Sequence, residues 1–407
     1  MKDLPGRTAR NASARFDAIT ADELRAAGSL KWTGVEDRLP AWVAEMDFGL
    51  AAPIAGAVQE AVARGLVGYL PGGLIDEMGA ACSEFLLARH GWEVPADWIR
   101  PVADVLTALE WTVRHFSAQG AKIVVPTPAY MPFLELPAVY GRELVTVPML
   151  RTGSGWELDF PALDAALAGG GLLILCNPHN PLGKVYSRDE LARIAEIVAA
   201  NGARVFSDEI HAPLVYDGGT HVPYASVSPA AANHTVTATS ASKAWNLAGL
   251  KAAQMILSNA ADRELWAGVG HFVEHGPSTP GVVANIAAYR DGGAWLAEVL
   301  AYLDGNRQLL GGLLGEHLPG AAYIQPAGTY LAFIDCTPLP LGGAVPADYF
   351  RDHARVALVD GAACGRPGWV RLNFATPRPI LRRIVEEMGA AVRRQAAATE
   401  VRQPPSW

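Results

Sequence analysis

The chain is poor in cysteine and in charge. Its 407 residues hold four cysteines, Cys82, Cys176, Cys336 and Cys364, far apart and without a CxxC pair. This spacing excludes a disulfide scaffold and offers no zinc-finger ligand set, so the cysteines are expected as small core residues in a reducing cytoplasm. Charged residues make up 18% and hydrophobic residues 50%, which excludes disorder over most of the length. There is no Lys/Arg-rich block, and the formal net charge is −8, so nucleic acid is not an expected partner. No apolar run approaches the roughly 20 residues of a membrane span, and Met1–Arg10 contains no stretch of signal-peptide type. A cytoplasmic protein with no membrane partner is expected, long enough for two domains.

The middle of the chain alternates short apolar runs with helical patterns. Ile123-Val-Val, Leu172-Leu-Ile-Leu-Cys, Arg204-Val-Phe-Ser, Val236-Thr-Ala-Thr and Gln254-Met-Ile-Leu read as strands buried on both faces. Ser187-Arg-Asp-Glu190 is a capping box, followed by Leu191, Ile194, Ala195 and Val198 at helical spacing and a stop at Asn201-Gly202. This βαβ grammar predicts an α/β domain with a mixed, mostly parallel sheet between helices. From about residue 290 the pattern changes. It predicts a long helix over 289–317 interrupted by Asn306-Arg307, strands of alternating facing within 323–335 and 369–375, and an amphipathic helix over 379–395. The expected division is a large domain over 46–288 and a smaller α+β domain from 1–45 and 289–407, with a frayed Gln403–Trp407 tail.

Four segments carry candidate chemistry. Ser240-Ala-Ser-Lys-Ala-Trp-Asn-Leu-Ala-Gly-Leu-Lys251 sets Lys243 among small hydroxyl residues just after an apolar run. That placement suits an ε-amine held by an aldehyde cofactor, and pyridoxal 5′-phosphate requires such a lysine. Ser240, Ser242 and Lys251 can hold its phosphate, with further donors from the backbone of Val105 and Leu106, where Val102–Glu110 opens a helix. Plain capping by Asp104 is the alternative for that loop. Phe206-Ser-Asp-Glu-Ile-His211 closes a strand with acids. Asp208 can hold a pyridine nitrogen protonated, whereas a helix cap or an interdomain ion pair would serve Asp208 or Glu209 equally. His211 touches the cofactor or is a satisfied core histidine. Cys176-Asn-Pro-His-Asn-Pro-Leu-Gly183 follows another strand, at the edge where open α/β sheets bind ligands. There Asn180 can donate to a phenolate oxygen, or the segment is an ordinary turn. Arg371 is a lone guanidinium in an apolar strand and calls for a substrate carboxylate or a structural acid.

These motifs, in this order and over nearly the whole chain, resemble fold-type I pyridoxal-phosphate enzymes of the class I/II aminotransferase superfamily. Trp42-Val-Ala-Glu-Met-Asp-Phe48 and His211 make the chain similar to the cystathionine β-lyase branch, the Cβ–S lyases that include the maltose-regulon modulator type. The resemblance implies an aspartate aminotransferase-like fold. It implies that Lys243 binds the cofactor's aldehyde, Asp208 its ring nitrogen and Asn180 its phenolate oxygen, that Tyr130 stacks on the ring, and that Arg371 takes the substrate α-carboxylate. Tyr69 looks like the tyrosine lent by a neighbouring subunit, which implies a homodimer with shared sites.

Three positions depart from the pattern. The acid usual two residues after His211 is missing, which bears on the substrate side-chain pocket. The 101–107 loop is less Gly/Ser-rich than is typical, and Lys251 stands where many relatives use Arg. The implied activity is α,β-elimination from an S-substituted L-cysteine, cystathionine-like, to thiol, pyruvate and ammonia. The same residues would serve an aminotransferase for an apolar or bulky amino acid. A non-catalytic regulator of the same fold is a third reading, opposed by the intact Lys243, Asp208 and Arg371.

Overall fold

The computed structural model describes residues 13–153, 155–216 and 218–402; the expected frayed tail lies outside them. The apolar runs of the middle region form a seven-stranded sheet. Its spatial order is Ile99–Val102, Ala253–Leu257, Thr235–Thr239, Arg204–Asp208, Leu172–Cys176, Ile123–Thr127, Leu144–Pro148. Only Ala253–Leu257 runs antiparallel to its neighbours. The five inner strands are buried on both faces, because helices cover both sides of a parallel sheet. The two edge strands escape the sequence reading. Ile99–Val102 is only four residues long and interrupted by Pro101, and Leu144–Pro148 is half-exposed.

The helix Arg188–Ala200 connects two central strands. It carries the expected capping box at Ser187 and Glu190 and buries Leu191, Ile194, Ala195 and Val198 against the sheet. The predicted long helix over 289–317 is two helices, Thr279–Asp291 and Gly293–His317. They break at Gly292, where the Trp245 indole sits so close that a Cβ would lie 2.4 Å from Nε1. The polar pair inside the second helix is a staple rather than an interruption. Asn306 Nδ2 donates to the carbonyls of Phe374 (2.9 Å) and Thr376 (2.8 Å), and Arg307 donates to that of Pro326 at 3.0 Å.

A second sheet, all antiparallel, orders Ala322–Tyr323, Leu331–Asp335, Trp369–Asn373 and Val359–Asp360. Residues alternate between two faces along its two long strands as expected, and both faces are buried. Ala332, Ile334, Val370 and Leu372 pack with Leu303, Leu310, Ile384 and Met388 of the helices Gly293–His317 and Arg378–Arg402. The opposite face, with Phe333, Trp369 and Arg371, turns towards the large sheet, where Phe333 and Trp369 join the core around Trp156 and Leu158. The N-terminal segment joins this unit through parallel pairing of Leu39–Pro40 with Val356–Ala357. All four cysteines are free and buried. No helix of the described residues is long and apolar enough to cross a membrane.

Candidate active site

The parallel strands end together, and the polar residues that follow their apolar runs converge at that edge. Asn180 follows Leu172–Cys176, Asp208 closes Arg204–Asp208, and Ser242 and Lys243 follow Thr235–Thr239. Tyr130 follows Ile123–Thr127, and Asp104 and Val105 follow Ile99–Val102. Lys251 immediately precedes the antiparallel strand and so reaches the same edge. Arg371 enters from the smaller sheet. Together they line one cavity of about 300 Å³, with His211 and Leu106 also in its wall. The loop that carries Asn180 is fixed by Gly183, whose left-handed backbone (φ 67°) lies so close to Pro326 that a Cβ would stand 2.1 Å from that ring's Cβ.

Two of the cavity's charges, Asp208 and Arg371, are buried without matching counter-ions. Asp208 is 5% exposed. Its Oδ1 accepts from the Ile210 amide at 3.1 Å, while its Oδ2 has only the Cys176 thiol at 3.9 Å. Burial, reinforced by the Glu209 charge, pushes its carboxyl up to about 7. Lys243 Nζ donates to the Ala44 carbonyl at 3.1 Å. Burial, with Arg371 nearby, brings this amine down to about 8, against the opposing pull of Glu45 and Asp208. Arg371 donates to Asn180 Oδ1 (3.2 Å) and the Trp42 carbonyl (3.0 Å), its Nε has no acceptor, and it makes no ion pair among the described residues. His211 is driven down to about 3 by burial, Lys243 and Arg371, so it is neutral; its ring meets Tyr330 edge-on at 5.9 Å, and Nδ1 has no partner. Glu209, in contrast, is satisfied by Ser207, the Tyr224 amide and His221 (2.8, 2.9 and 2.8 Å), which makes it the structural acid of the pair.

The phosphate-side residues are arranged differently from the sequence expectation. Ser240 does not reach the cavity: its hydroxyl donates to the Ala252 carbonyl (2.7 Å) and accepts from the Ser242 amide (3.0 Å), so it shapes the turn that presents Ser242. Asp104 caps the helix through Thr107 and also binds Lys251 at 2.9 Å, so the capping alternative holds alongside the cavity placement. Burial raises the Asp104 carboxyl, but Lys251 and Thr107 outweigh it and hold it low. Tyr69 stands outside this cavity, 91% exposed, with its ring edge near His275. Pro213, where the usual acid is missing, lines a separate small cavity with His90 and Glu209, so that departure leaves the site's own wall untouched.

Sequence reasoning missed the wall made by Val43, Ala44 and Glu45, and Met131. The Trp42–Phe48 motif served only as a family mark, although it holds the site. The Ala44 carbonyl accepts from Lys243 and from Tyr330 (3.0 Å), and Asn373 Nδ2 donates to the carbonyls of Val43 (2.6 Å) and Glu45 (2.7 Å).

The lining fits pyridoxal phosphate in its chemistry. Asp208 Oδ2 has no N–H or O–H donor and suits a protonated ring nitrogen, and Lys243 is a primary amine of depressed basicity. Ser242, Lys251 and the backbone of Val105 and Leu106, at the start of the helical run 105–116, offer donors for a phosphate.

A mostly parallel sheet with a lysine and an acid at its carboxyl edge defines the class, and the comparisons with known proteins agree. The family model described as aminotransferase class I and II matches residues 45–387, and the chain belongs to that family. It is 40% identical over 365 residues to the cystathionine beta-lyase of Corynebacterium glutamicum, covering 88% of this chain and 95% of that protein. It is 34% identical over 376 residues to cystathionine beta-lyase PatB of Bacillus subtilis (strain 168), with the same coverage of 88% and 95%. The PLP-bound C-S lyase from Staphylococcus hominis superposes with a TM-score of 0.85 at 28% identity, covering 93% of this chain and 98% of that one.

Proposed function

We propose that this chain is a pyridoxal-phosphate-dependent Cβ–S lyase that converts an S-substituted L-cysteine, cystathionine-like, into a thiol, pyruvate and ammonia. The observation that carries the reading is one cavity holding a half-buried amine, a buried acid and a buried guanidinium, with no counter-ion bonded to the acid or the guanidinium. A cofactor with a basic nitrogen and a substrate with a carboxylate supply those partners.

Bound pyridoxal phosphate supplies an electron sink that acidifies the substrate's Cα–H. Arg371 takes the α-carboxylate in a two-pronged grip, oriented by its bond to Asn180. Asn180 keeps its Nδ2 for the cofactor's phenolate oxygen. Lys243, with a value near 8, is partly neutral at physiological pH and can take the Cα proton as general base. Asp208 holds a proton on the ring nitrogen. Ser242, Lys251 and the Val105 and Leu106 amides anchor the phosphate, with Ser240 supporting Ser242. Tyr130, in the cavity wall, would stack on the ring, and neutral His211 would add no charge beside it. The exposed Tyr69 is lent to a second copy's cavity in a homodimer. The division is into 46–288 and 1–45 with 289–407, its boundary lying in the last turn of the helix Thr279–Asp291 just before the break at Gly292, and a cytoplasmic location fits four free buried cysteines.

The test is incubation of purified, cofactor-loaded protein with L-cystathionine or S-alkyl cysteines, with and without a 2-oxo acid. Thiol and pyruvate released in equal amounts without an acceptor support the lyase. Turnover only with an acceptor overturns it in favour of the aminotransferase, which would use the same residues.

A further inference from the structure

Three carboxylates line the cavity, and two are accounted for. Asp104 binds Lys251 and Thr107, and Asp208 faces the ring nitrogen in the reading above. The third, Glu45, has no hydrogen bond or ion pair to its carboxylate among the described residues, although it reaches the wall of the site. Its position is not accidental slack, because its backbone is fixed on every side. The Glu45 carbonyl accepts from Asn373 Nδ2 (2.7 Å) and Lys31 Nζ (3.3 Å), and its amide donates to the Val43 carbonyl at 2.9 Å. The following residue, Met46, is bracketed by Asn246, which accepts from its amide and donates to its carbonyl, both at 2.9 Å. A rigid segment thus presents a free carboxylate to the cavity.

The cations of the wall are Lys243, Lys251 and Arg371. In the lyase reading all three have work, on the aldehyde, the phosphate and the α-carboxylate. None remains for an acidic side chain of the substrate. The same wall carries apolar side chains, among them Val43 and Ala44 next to Glu45 in the chain, and Met131 and Ile210. A half-buried, unpaired carboxylate on a wall that also carries apolar side chains favours a ligand with an apolar stem and a positive end, and disfavours a negative one. We propose that Glu45 is a specificity-determining residue that selects substrates whose sulfur-borne arm carries an ammonium group. The thioether stem lies on the apolar wall, and the arm's ammonium donates to the Glu45 carboxylate. This inference rests on the lyase reading.

The test compares S-(2-aminoethyl)-L-cysteine with S-propyl-L-cysteine, which has nearly the same shape and no charge on the arm. Thiol release gives kcat/KM for each in the wild type and in Glu45→Gln. Glu45 also acts on the Lys243 amine, but that influence is common to both substrates and cancels in their ratio. The wild type is expected to favour the aminoethyl substrate. Glu45→Gln is expected to lower the aminoethyl-to-propyl ratio about tenfold to hundredfold, the range of one charge-assisted hydrogen bond, chiefly through KM. A wild-type ratio at or below one overturns the proposal without any variant, and so does an unchanged ratio in a cofactor-loaded Glu45→Gln. Thiol from both substrates at equal rates therefore sinks the role of Glu45 alone. Thiol from neither, nor from L-cystathionine, sinks the lyase reading and this inference with it.

Discussion

Lys31 and Asp47 lie under the N-terminal segment with side chains 0% and 3% exposed, 2.7 Å apart. Trp32 Nε1 donates to the second Asp47 oxygen at 2.9 Å, and the Glu45 and Ala375 carbonyls take further Lys31 protons. Glu209 and His221 form a similar closed pair. A short distance away, Asp208 and Arg371 are buried to a comparable degree and Lys243 is half-buried, yet the acid and the guanidinium have no counter-ion in contact and the amine bonds only a carbonyl. Burying an ion is costly unless it is paired. The first set meets that cost within the chain and holds the fold together. The second leaves it standing, and the shifted acidities of Asp208 and Lys243 record it. The contrast teaches where to look for chemistry: at the buried charges that the fold itself does not satisfy.

Breaking each set is expected to have opposite consequences. The largest effect is on rate: Lys243→Ala is expected to lower thiol release from L-cystathionine by about 10³-fold or more, since it removes the cofactor's attachment and the general base together. Its thermal midpoint is expected to hold or rise. Asp47→Asn attacks the paired set. It leaves Lys31 charged and buried without a counter-ion, and is expected to cost about 3–5 kcal/mol in urea unfolding.

Asp208→Asn gives the reverse sign. The folded-state value of Asp208, about 7, lies above its ordinary 3.8. Its unfavourable contribution is therefore absent below about pH 4 and grows as pH rises to about 7. Cofactor-free Asp208→Asn is expected to be more stable than cofactor-free wild type by about 1–3 kcal/mol at pH 8, with the gap closing by pH 4. Unfolding curves at the two pH values check this, and equal stability at both would show that Asp208 is already compensated. The smallest effect lies outside both sets: Ser187→Ala removes the helix cap and is expected to cost about 1 kcal/mol with no change in rate.

Much of this contrast was legible in the sequence, for a physical reason. A strand buried on both faces reads as an uninterrupted apolar run, so a polar residue at its end stands out. Asn180, Asp208 and Lys243 could be named on that basis, Arg371 as a lone charge inside an apolar strand, and the capping box at Ser187 located a helix. Facing and partnership were not legible. Nothing in Ser240-Ala-Ser242 says which hydroxyl the Ala252 carbonyl captures. The edge strands lacked the doubly buried pattern. The wall made by Val43–Glu45 was out of reach because it depends on contacts such as that of Arg371 with the Trp42 carbonyl, 329 residues apart in sequence. Local periodicity carries no information on such a distance.

The central claim is that the Lys243 amine, left without a counter-ion in contact, is where the cofactor attaches. Treating cofactor-loaded protein with borohydride and mapping its peptides by mass spectrometry tests this most directly. The account predicts the mass of the reduced cofactor on the peptide that contains Lys243, at about one per chain. An unmodified Lys243 peptide, with the added mass on another lysine or absent from the chain, would contradict it.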